Sequence, residues 1–293
     1  MPPPKLTTAQ IELIRTALAE DHAWHDVTSQ VLVPAQAKGR AVIRAKQAGV
    51  VAGISHGCFA FVALGSHGSI EVLVEDGDRV AAGTDLALLE GSLRDLLAGE
   101  RTAVNLIQRM SGIATLTAQF VDAVKGTRAR ILATRKTAPG LRSFDLDAVR
   151  AGGGDVHRES LADRVLVKEN HLRAARAAGT ATSMAGVVAL LAREKPGVPV
   201  GIEAIDLDEL RAALVPGVDL VLLDNFSPER MLEAVRVRNA AFPAGGGPEL
   251  EAAGGITLAT VRAFAETGVE RISVGALTHS APALDVSMKV LPA

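Results

Sequence analysis

The sequence predicts an α/β protein in which a small α+β module precedes a parallel sheet. Two observations support this fold class. After an opening helix, short strand-like segments bounded by glycine turns fill most of roughly the first hundred residues. Beyond Lys125, short apolar runs alternate with helical stretches, and repeated βα units of this length imply a parallel sheet, closed or open.

The α+β module begins with a predicted helix from Thr7 to Ala19. Its residues Ile11, Ile14 and Leu18 share one face, and Thr7 or Thr8 is placed to cap it. A second helix is expected at Ser55–Leu64, laid on a sheet whose strand candidates are Ala41–Ile43, Val50–Val51, Ile70–Val74 and Leu86–Leu89. The segment Glu75–Asp78 has the Asp-Gly chemistry of a hairpin turn.

Helical periodicity dominates from Leu93 to Lys125 and is interrupted near Ser111-Gly112, so two helices are predicted there. The strand candidates of the parallel sheet are Ile131–Ala133, Val165–Val167, Val200–Ile202, Leu220–Leu223, Leu250–Ala252 and Ile272–Val274. The clearest helices between them are Met184–Arg193, Asp208–Leu214, Pro228–Asn239 and Leu258–Thr267. These strands are fewer than the eight of a complete barrel, so the pattern leaves closure of the sheet open.

Composition excludes several classes of protein. A hydrophobic fraction of 48% argues against disorder, and a net charge of −2 argues against a nucleic-acid partner. No apolar run approaches the roughly 18 residues of a membrane span, and the first residues lack the apolar region of a signal peptide. The single cysteine, Cys58, cannot form an internal disulfide and is expected to be buried. We therefore expect a soluble, cytoplasmic protein.

Each candidate strand of the parallel sheet ends in residues that chemistry can use. In chain order these ends are Arg135-Lys136, Lys168, Glu203, Asp224-Asn225, Gly254-Gly255 and Gly275. A further cationic pair, His157-Arg158, follows a triple glycine that allows the backbone to bend close to a ligand. Ligands of parallel α/β folds gather at the carboxyl ends of the strands, so the cationic residues predict a site for an anion. An ordinary surface pair is the alternative for His157-Arg158.

The last two strand ends predict a phosphate site. Ala253-Gly254-Gly255 and Gly275-Ala276 match the barrel loops that offer backbone N–H groups and a helix N-terminus to a phosphate. A tight strand-to-helix turn is the alternative interpretation of the double glycine. The carboxylates of Glu203 and Asp224 suggest Mg²⁺, held by few protein oxygens together with those of a substrate. Ion pairing with Lys168 or Arg135 is the alternative.

These motifs resemble a known family. The segment Thr134–Arg142 is similar to the TRKT-x-PG-x-R signature of quinolinate phosphoribosyltransferase. Further matches are Glu100-Arg101-Thr102, Asn105-Leu106, Ser111–Thr115, Gly152–Gly154 before His157-Arg158, Lys168–His171, Leu222–Asn225, Gly254–Ile256 and Val274–Ser280. The likeness extends over about residues 10–290, in the order of the family.

The resemblance implies an N-terminal α+β open sandwich, residues 1–112, and an incomplete parallel α/β barrel, residues 113–276, with 277–293 packing back on the first domain. It implies a homodimer with shared active sites and leaves higher oligomers open. It also implies the reaction of quinolinate with phosphoribosyl pyrophosphate, using Mg²⁺, to give nicotinate mononucleotide, pyrophosphate and carbon dioxide.

The same resemblance assigns roles to residues. Arg135, Lys136, His157 and Arg158 would bind quinolinate, and Arg101 would reach into the partner's site, although composition alone favours a solvated helix face for it. Lys168, Glu203 and Asp224 would serve the ribose, the pyrophosphate and the metal, and with Lys136 they are the expected catalytic residues. The 5′-phosphate would be held by Ala253, Gly254, Gly255, Gly275 and Ala276.

The chain departs from the family pattern at Leu146-Asp147, Val156, Gly201 and Ala253. Two alternative functions remain at this level. A related enzyme could transfer phosphoribose to another aromatic acid, but five cationic side chains favour a dicarboxylate. A catalytically silent phosphate-binding barrel is the second alternative, and the presence of Lys168, Glu203 and Asp224 argues against it.

Overall fold

The computed structural model describes residues 6–65 and 68–291. Its α-helices are α1 Thr8–Glu20, α2 Val27–Leu32, α3 Ile54–Ala63, α4 Leu93–Ala123, α5 Arg142–Ala151, α6 Glu169–Ala177, α7 Met184–Glu194, α8 Leu207–Ala213, α9 Pro228–Ala241, α10 Val261–Glu266 and α11 Ala276–His279. Its strands are β1 Lys38–Ala45, β2 Gly49–Val50, β3 Ser69–Val72, β4 Arg79–Val80, β5 Asp85–Ser92, β6 Arg130–Ala133, β7 Asp155–Val156, β8 Val165–Val167, β9 Val200–Ala204, β10 Leu220–Asp224, β11 Glu249–Ala253, β12 Arg271–Ser273 and β13 Val286–Leu291.

The chain divides into two compact units. Of the described residues, the first unit comprises 6–65, 68–118, 137–153 and 277–291, and the second comprises 119–136 and 154–276. The predicted boundary lay after residue 112, whereas the first unit runs to residue 118 and also takes in the segment that contains α5.

An antiparallel sheet of order β13-β1-β5-β3 forms the framework of the first unit. The C-terminal strand β13 pairs with β1 from Arg40 opposite Leu291 to Ala45 opposite Val286. Three consecutive residues of β1, Ala41 to Ile43, are buried, which is the pattern of a strand covered on both faces. Helix α3, predicted at Ser55–Leu64, contributes the fully buried Phe61 to this core.

The opening helix confirms its sequence signals. Thr7 caps α1 in a capping box with Gln10, in which each side chain binds the other residue's backbone N–H. Ile14 and Leu18 of its apolar face are buried. Cys58 is buried in α3, as expected, and burial raises the pKa of its thiol to about 12.

The prediction of two helices between Leu93 and Lys125 is wrong, because α4 is continuous through Ser111 and Gly112. These two residues do not interrupt the helix but pack closely against other segments of the first unit. A Cβ on Gly112 would lie 2.0 Å from the carbonyl oxygen of Pro282, so only glycine fits there. The Ser111 hydroxyl is fully buried and bonds both the N–H and the C=O of Ala52, at 3.0 and 3.1 Å.

The hairpin predicted at Glu75–Asp78 is also wrong. The turn exists, with the Asp78 N–H donating to the Glu75 carbonyl at 3.1 Å and Gly77 at a φ of 101°. However, β3 before it pairs with β5, and β4 after it pairs with β2. A turn sequence fixes the local backbone, but the partner of each strand is chosen by the rest of the sheet.

The second unit is an open parallel sheet of seven strands in the order β7-β6-β12-β11-β10-β9-β8. All six predicted strands are present. The seventh strand, β7, has only two residues and follows the triple glycine, which hid it from a periodicity search. Helices α5 and α6 were also missed. The two edge strands β7 and β8 do not pair within the described residues, so the incomplete barrel is confirmed.

Helix α10 is shorter than predicted. It begins at Val261, not Leu258, because Thr257 and Thr260 form a hydrogen-bonded turn in which the Thr260 hydroxyl accepts from the Thr257 N–H at 3.0 Å. Within residues 6–65 and 68–291, no helix combines the length and the apolar composition needed to cross a bilayer.

Candidate active site

The strand register of the second unit brings three predicted site residues to one face of the sheet. Side chains alternate between faces along a strand, so residues in register, or two apart, share a face. Leu222 of β10 is in register with Glu203 of β9, and Asp224 lies two residues beyond Leu222. Lys168 continues the ladder in which Val167 is opposite Ile202, and its backbone is still extended. Lys168, Glu203 and Asp224 therefore point to the same side.

Lys168 and Glu203 form a direct ion pair through Nζ and Oε2. The Glu203 side chain is 17% exposed, and it lines a pocket of about 220 Å³ together with residues of α6, α7 and α8. Among the residues that the structure describes, no cation forms an ion pair with Asp224. Its Oδ2 accepts from the side-chain amide of the neighbouring Asn225 at 3.0 Å. The alternative interpretation, in which these carboxylates form ion pairs, therefore holds for Glu203.

The two carboxylates fit a magnesium ion of a particular kind. They are half-buried oxygen ligands on adjacent strands, and Mg²⁺ is often held by one or two carboxylates while substrate phosphates and water complete its shell. Among the described residues there is no group of three or more histidine, cysteine, aspartate or glutamate side chains that could hold a metal alone. Glu203 and Asp224 would therefore hold the ion only together with a ligand.

The glycine loop after β11 has a backbone that other residues rarely adopt. Gly254 and Gly255 have φ values of 94° and 60°. A Cβ on Gly254 would also lie 2.2 Å from Oδ1 of Asn225, whereas a Cβ on Gly255 would enter open space. Asn225 itself has a φ of 57°, and its N–H donates to the Ala253 carbonyl at 2.9 Å. The ends of β10 and β11 therefore form one interlocked turn.

The loop after β12 differs from the one after β11. Helix α11 starts at Ala276, directly after Gly275, whereas α10 starts six residues beyond Gly255. The helix N-terminus expected at the double glycine is therefore displaced from it. An open backbone remains at Gly255, with room for a phosphate where a side chain would be.

Cationic side chains gather at the ends of β6 and β7. Arg158 donates from Nη1 to the carbonyl of Arg164 at 2.9 Å. Burial, followed by the charges of Arg135 and Arg164, lowers the pKa of the Arg158 guanidinium. The Nε atom of Arg135 is buried and has no hydrogen-bond partner among the described residues. Lys136 is exposed, and its N–H donates to the Thr134 hydroxyl at 3.2 Å. Such a cluster is electrostatically unfavourable until an anion enters it.

His157 continues the β7 ladder, with its N–H 3.3 Å from the Ala133 carbonyl. Its side chain is 9% exposed, and its buried Nε2 has no hydrogen-bond partner in residues 6–65 and 68–291. Burial is the largest cause that lowers the pKa of this imidazole, and nearby arginines lower it further. Nε2 lies 3.8 Å from Oε2 of Glu251, a carboxylate that opposes this decrease. A surface position for His157 is thereby excluded.

Sequence reasoning missed the charged residues inside the strands. Glu251 on β11 is fully buried and is bound by Arg271 and Ser273 of β12. Arg164 is half-buried and lies near the same carboxylate. The available signal was a charged residue in the middle of an apolar run, as in Leu250-Glu251-Ala252.

Arg101 lies on α4 in the first compact unit. Its side chain is 60% exposed, and Nη2 is 3.8 Å from Oε1 of Glu100. Among the departures from the family pattern, Gly201 is closely packed, because a Cβ there would be 3.2 Å from the Val165 carbonyl. Asp147, in the first unit, accepts from the Gln10 amide at 2.7 Å and lies 3.8 Å from Nε2 of His56.

Comparison with known proteins decides the family. Residues 26–111 match the family model for the N-terminal domain of quinolinate phosphoribosyl transferase, and residues 113–289 match the model for its C-terminal domain. The chain belongs to the quinolinate phosphoribosyl transferase family.

Individual members of the family agree over nearly the whole chain. The chain is 39% identical over 280 residues to the nicotinate-nucleotide pyrophosphorylase [carboxylating] of Mycobacterium leprae, covering 94% of this chain and 95% of that protein. It is 37% identical over 305 residues to a mitochondrial quinolinate phosphoribosyltransferase [decarboxylating] of Nicotiana tabacum, covering 99% and 84%. The solved nicotinate-nucleotide pyrophosphorylase of Francisella tularensis superposes with a TM-score of 0.88 at 34% identity, covering 98% of each chain.

Proposed function

We propose that this chain transfers phosphoribose from phosphoribosyl pyrophosphate to quinolinate and releases carbon dioxide, forming nicotinate mononucleotide for NAD biosynthesis. The observation that carries the proposal is the pair of buried nitrogen atoms without partners, Nε of Arg135 and Nε2 of His157. They belong to one strand-end cluster of cations in a family whose named members carry out this reaction.

The cation cluster suits a dicarboxylate. Arg158 sits close enough to Arg135 and Arg164 for their charges to lower its pKa. A dianionic ligand offsets this repulsion, and planar guanidinium groups bind carboxylates through two parallel hydrogen bonds. Nicotinate, with one carboxylate, would leave part of the cluster uncompensated. Arg135, Lys136, His157 and Arg158 are therefore the proposed quinolinate residues.

The sugar phosphate would lie over the neighbouring strand ends. The backbone of Ala253, Gly254, Gly255, Gly275 and Ala276 would receive the 5′-phosphate, and the space that a Cβ of Gly255 would enter is open. Glu203 and Asp224 would hold Mg²⁺, and the ion would supply positive charge to offset that of the leaving pyrophosphate. Lys168 now neutralises Glu203, and it would be free to contact the substrate once the metal takes its place.

The chemistry forms two bonds at the pyridine ring, one at nitrogen and one at C2, and breaks two. The ring nitrogen of quinolinate bonds to the anomeric carbon while the bond from that carbon to pyrophosphate breaks. The quaternised nitrogen then draws the electron pair of the C2–carboxylate bond into the ring, carbon dioxide leaves, and C2 takes a proton. The contribution of the protein is to hold two anions in contact and to exclude competing orientations.

The remaining expectations are part of the same proposal. The chain would act as a homodimer in which the exposed Arg101 enters the partner's site. A cytoplasmic location fits a chain with one cysteine, Cys58, which is buried and unpaired.

The decisive experiment measures carbon dioxide release and pyridine nucleotide formation with phosphoribosyl pyrophosphate and Mg²⁺. Quinolinate and nicotinate are compared as acceptors. Turnover of quinolinate alone supports the proposal. Preferential turnover of nicotinate would identify a related transferase, and no turnover with either acid, in a folded protein, would favour a silent phosphate-binding barrel.

A further inference from the structure

Glu251 is a fully buried carboxylate in the middle of β11. Its Oε2 accepts from Nε of Arg271 at 2.8 Å, and its Oε1 accepts from the Ser273 hydroxyl at 2.5 Å. The same Oε2 faces Nε2 of His157 at 3.8 Å. Both oxygens of Glu251 are therefore held in place, and the oxygen that Arg271 binds also faces the imidazole.

The strand register explains this contact. Glu251 is in register with Arg271, and Ser273, two residues further along β12, is opposite Leu132. Leu132 is opposite Asp155, and His157 lies two residues beyond Asp155. All of these side chains therefore share the inner face of the sheet. The meeting of Glu251 and His157 follows from the architecture of the sheet and not from a mobile loop.

The charges around His157 are unbalanced in the free protein. Three cations, Arg158, Arg164 and Arg271, act on the imidazole, and Glu251 is the one carboxylate among the groups that perturb it. Arg271 binds a second carboxylate besides Glu251, because its Nη1 also lies 3.3 Å from Oε2 of Glu249. Burial, followed by these cations, lowers the pKa of the His157 imidazole, and a bound dianion would oppose that decrease.

We propose that Glu251 is the positioning residue of His157: held by Arg271 and Ser273, its carboxylate orients Nε2 and supplies the countercharge that lets the imidazole take up a proton when a dicarboxylate binds. This inference rests on the proposed function, because it assigns His157 to the acceptor's carboxylates. The proton comes from solvent and bonds to the imidazole, so the bound state gains one proton.

Two consequences follow. The unpartnered Nε2 becomes a donor to Glu251, closing a gap of 3.8 Å by a small rotation of the ring. Charge on the imidazole then adds to that of Arg135 and Arg158 only when the ligand is present. In the free protein, His157 therefore adds no further positive charge to a cluster of arginines whose charges already repel one another.

The first test is independent of activity. Histidine-labelled full-length protein is titrated by NMR, with the His157 signal assigned from a His157→Asn variant. Glu251→Gln keeps the shape of the side chain and removes its charge, so the proton affinity of His157 should fall about tenfold, one pKa unit. The matched control is Glu249→Gln, on the same strand and also bonded to Arg271, which should change that affinity far less. Equal effects of the two variants, or none, would overturn the proposal.

The second test uses the pH dependence of the Michaelis constant for quinolinate. That constant should rise as His157 loses its proton, and in Glu251→Gln the rise should begin about one pH unit lower. The constant for phosphoribosyl pyrophosphate should not move. A purely structural role would alter turnover and both constants at every pH, which contradicts the inference.

The wild-type protein supplies a third test if Glu251→Gln does not fold. Calorimetry of quinolinate binding near pH 7.5, in buffers of different ionisation enthalpy, should show uptake of a fraction of a proton that the His157→Asn variant lacks. Binding without this uptake overturns the inference and leaves the proposed function standing. Failure of the wild type to bind or convert quinolinate overturns the proposed function, and where Glu251→Gln folds, the NMR comparison still decides whether Glu251 controls His157.

Discussion

Replacing Arg135 by methionine should separate ligand binding from stability. Methionine keeps an unbranched side chain of similar length but removes the guanidinium, whose Nε is buried without a partner. Arg158 lies nearby, and the charge of Arg135 contributes to lowering its pKa. The free protein therefore holds an unpaired polar atom and a like charge that serve no purpose until an anion binds.

The structure indicates opposite signs for the two effects. Loss of a charge-assisted contact with a desolvated carboxylate costs about 2–5 kcal/mol, so kcat/KM for quinolinate should fall from about 30-fold to several thousand-fold. An unsatisfied buried donor costs about 1–3 kcal/mol in the native state. Its removal should offset the lost packing, so the free energy of unfolding should stay unchanged or rise by about 1 kcal/mol.

The assays are steady-state kinetics and urea unfolding of the same preparations. Arg173→Met is the matched control, since Arg173 is 73% exposed on α6 and pairs with Glu169. It should leave both quantities nearly unchanged. Destabilisation of Arg135→Met by more than about 2 kcal/mol would show that the guanidinium supports the fold, and unchanged kcat/KM would remove it from the site.

Three further outcomes are expected. Glu203→Gln and Asp224→Asn should each raise the concentrations of Mg²⁺ and phosphoribosyl pyrophosphate that give half-maximal rate by about tenfold or more. The concentration needed of quinolinate should change little. If both variants had the Mg²⁺ dependence of the wild type, the two carboxylates would not hold the metal. Arg101→Ala and Lys168→Ala protomers, nearly inactive alone, should recover about a quarter of wild-type activity after subunit exchange, because half the dimers are mixed and each has one intact site. If no activity were recovered although mass spectrometry verified the exchange, Arg101 would act in the site of its own subunit or have no role in catalysis. His56 is buried, its Nδ1 has no hydrogen-bond partner among the described residues, and burial lowers the pKa of its imidazole. The unfolded chain therefore binds more protons, so the free energy of unfolding should decrease as the pH falls below about 6.5. In urea unfolding, this decrease should be smaller for His56→Gln, and an equal decrease in the variant and the wild type would disprove the prediction.

Many elements were predictable because their signals are local. The cap at Thr7 and the apolar runs of the parallel sheet depend on neighbouring residues, and all of these predictions were confirmed. The strand ends were predicted only in part. The apolar run that stops at Lys168 marks the end of β8, whereas Glu203 lies inside β9, which continues to the buried Ala204. The family signature added the proposed roles of these residues, which neither periodicity nor composition contains.

The errors have a common physical origin in contacts between distant segments. Ser111-Gly112 has the composition of a helix break, but the carbonyl of Pro282 demands a glycine inside a continuous α4. The turn at Gly77 has hairpin chemistry, but its two strands belong to different sheets. In both cases the local sequence pattern was correct, but the distant segment that contacts it was unknown.

By itself, the sequence determined the fold class, the order of the βα units and the residues at the strand ends, because each depends on the spacing of apolar and charged residues along the chain. Only the tertiary structure decided which of those residues meet. Glu251, Arg271 and His157 are far apart in the sequence, and strand order together with register places them on one inner face. Pairing is set by the hydrogen bonds of a whole sheet and not by the composition of one strand, and so the contact of Glu251 with His157 was invisible in the sequence.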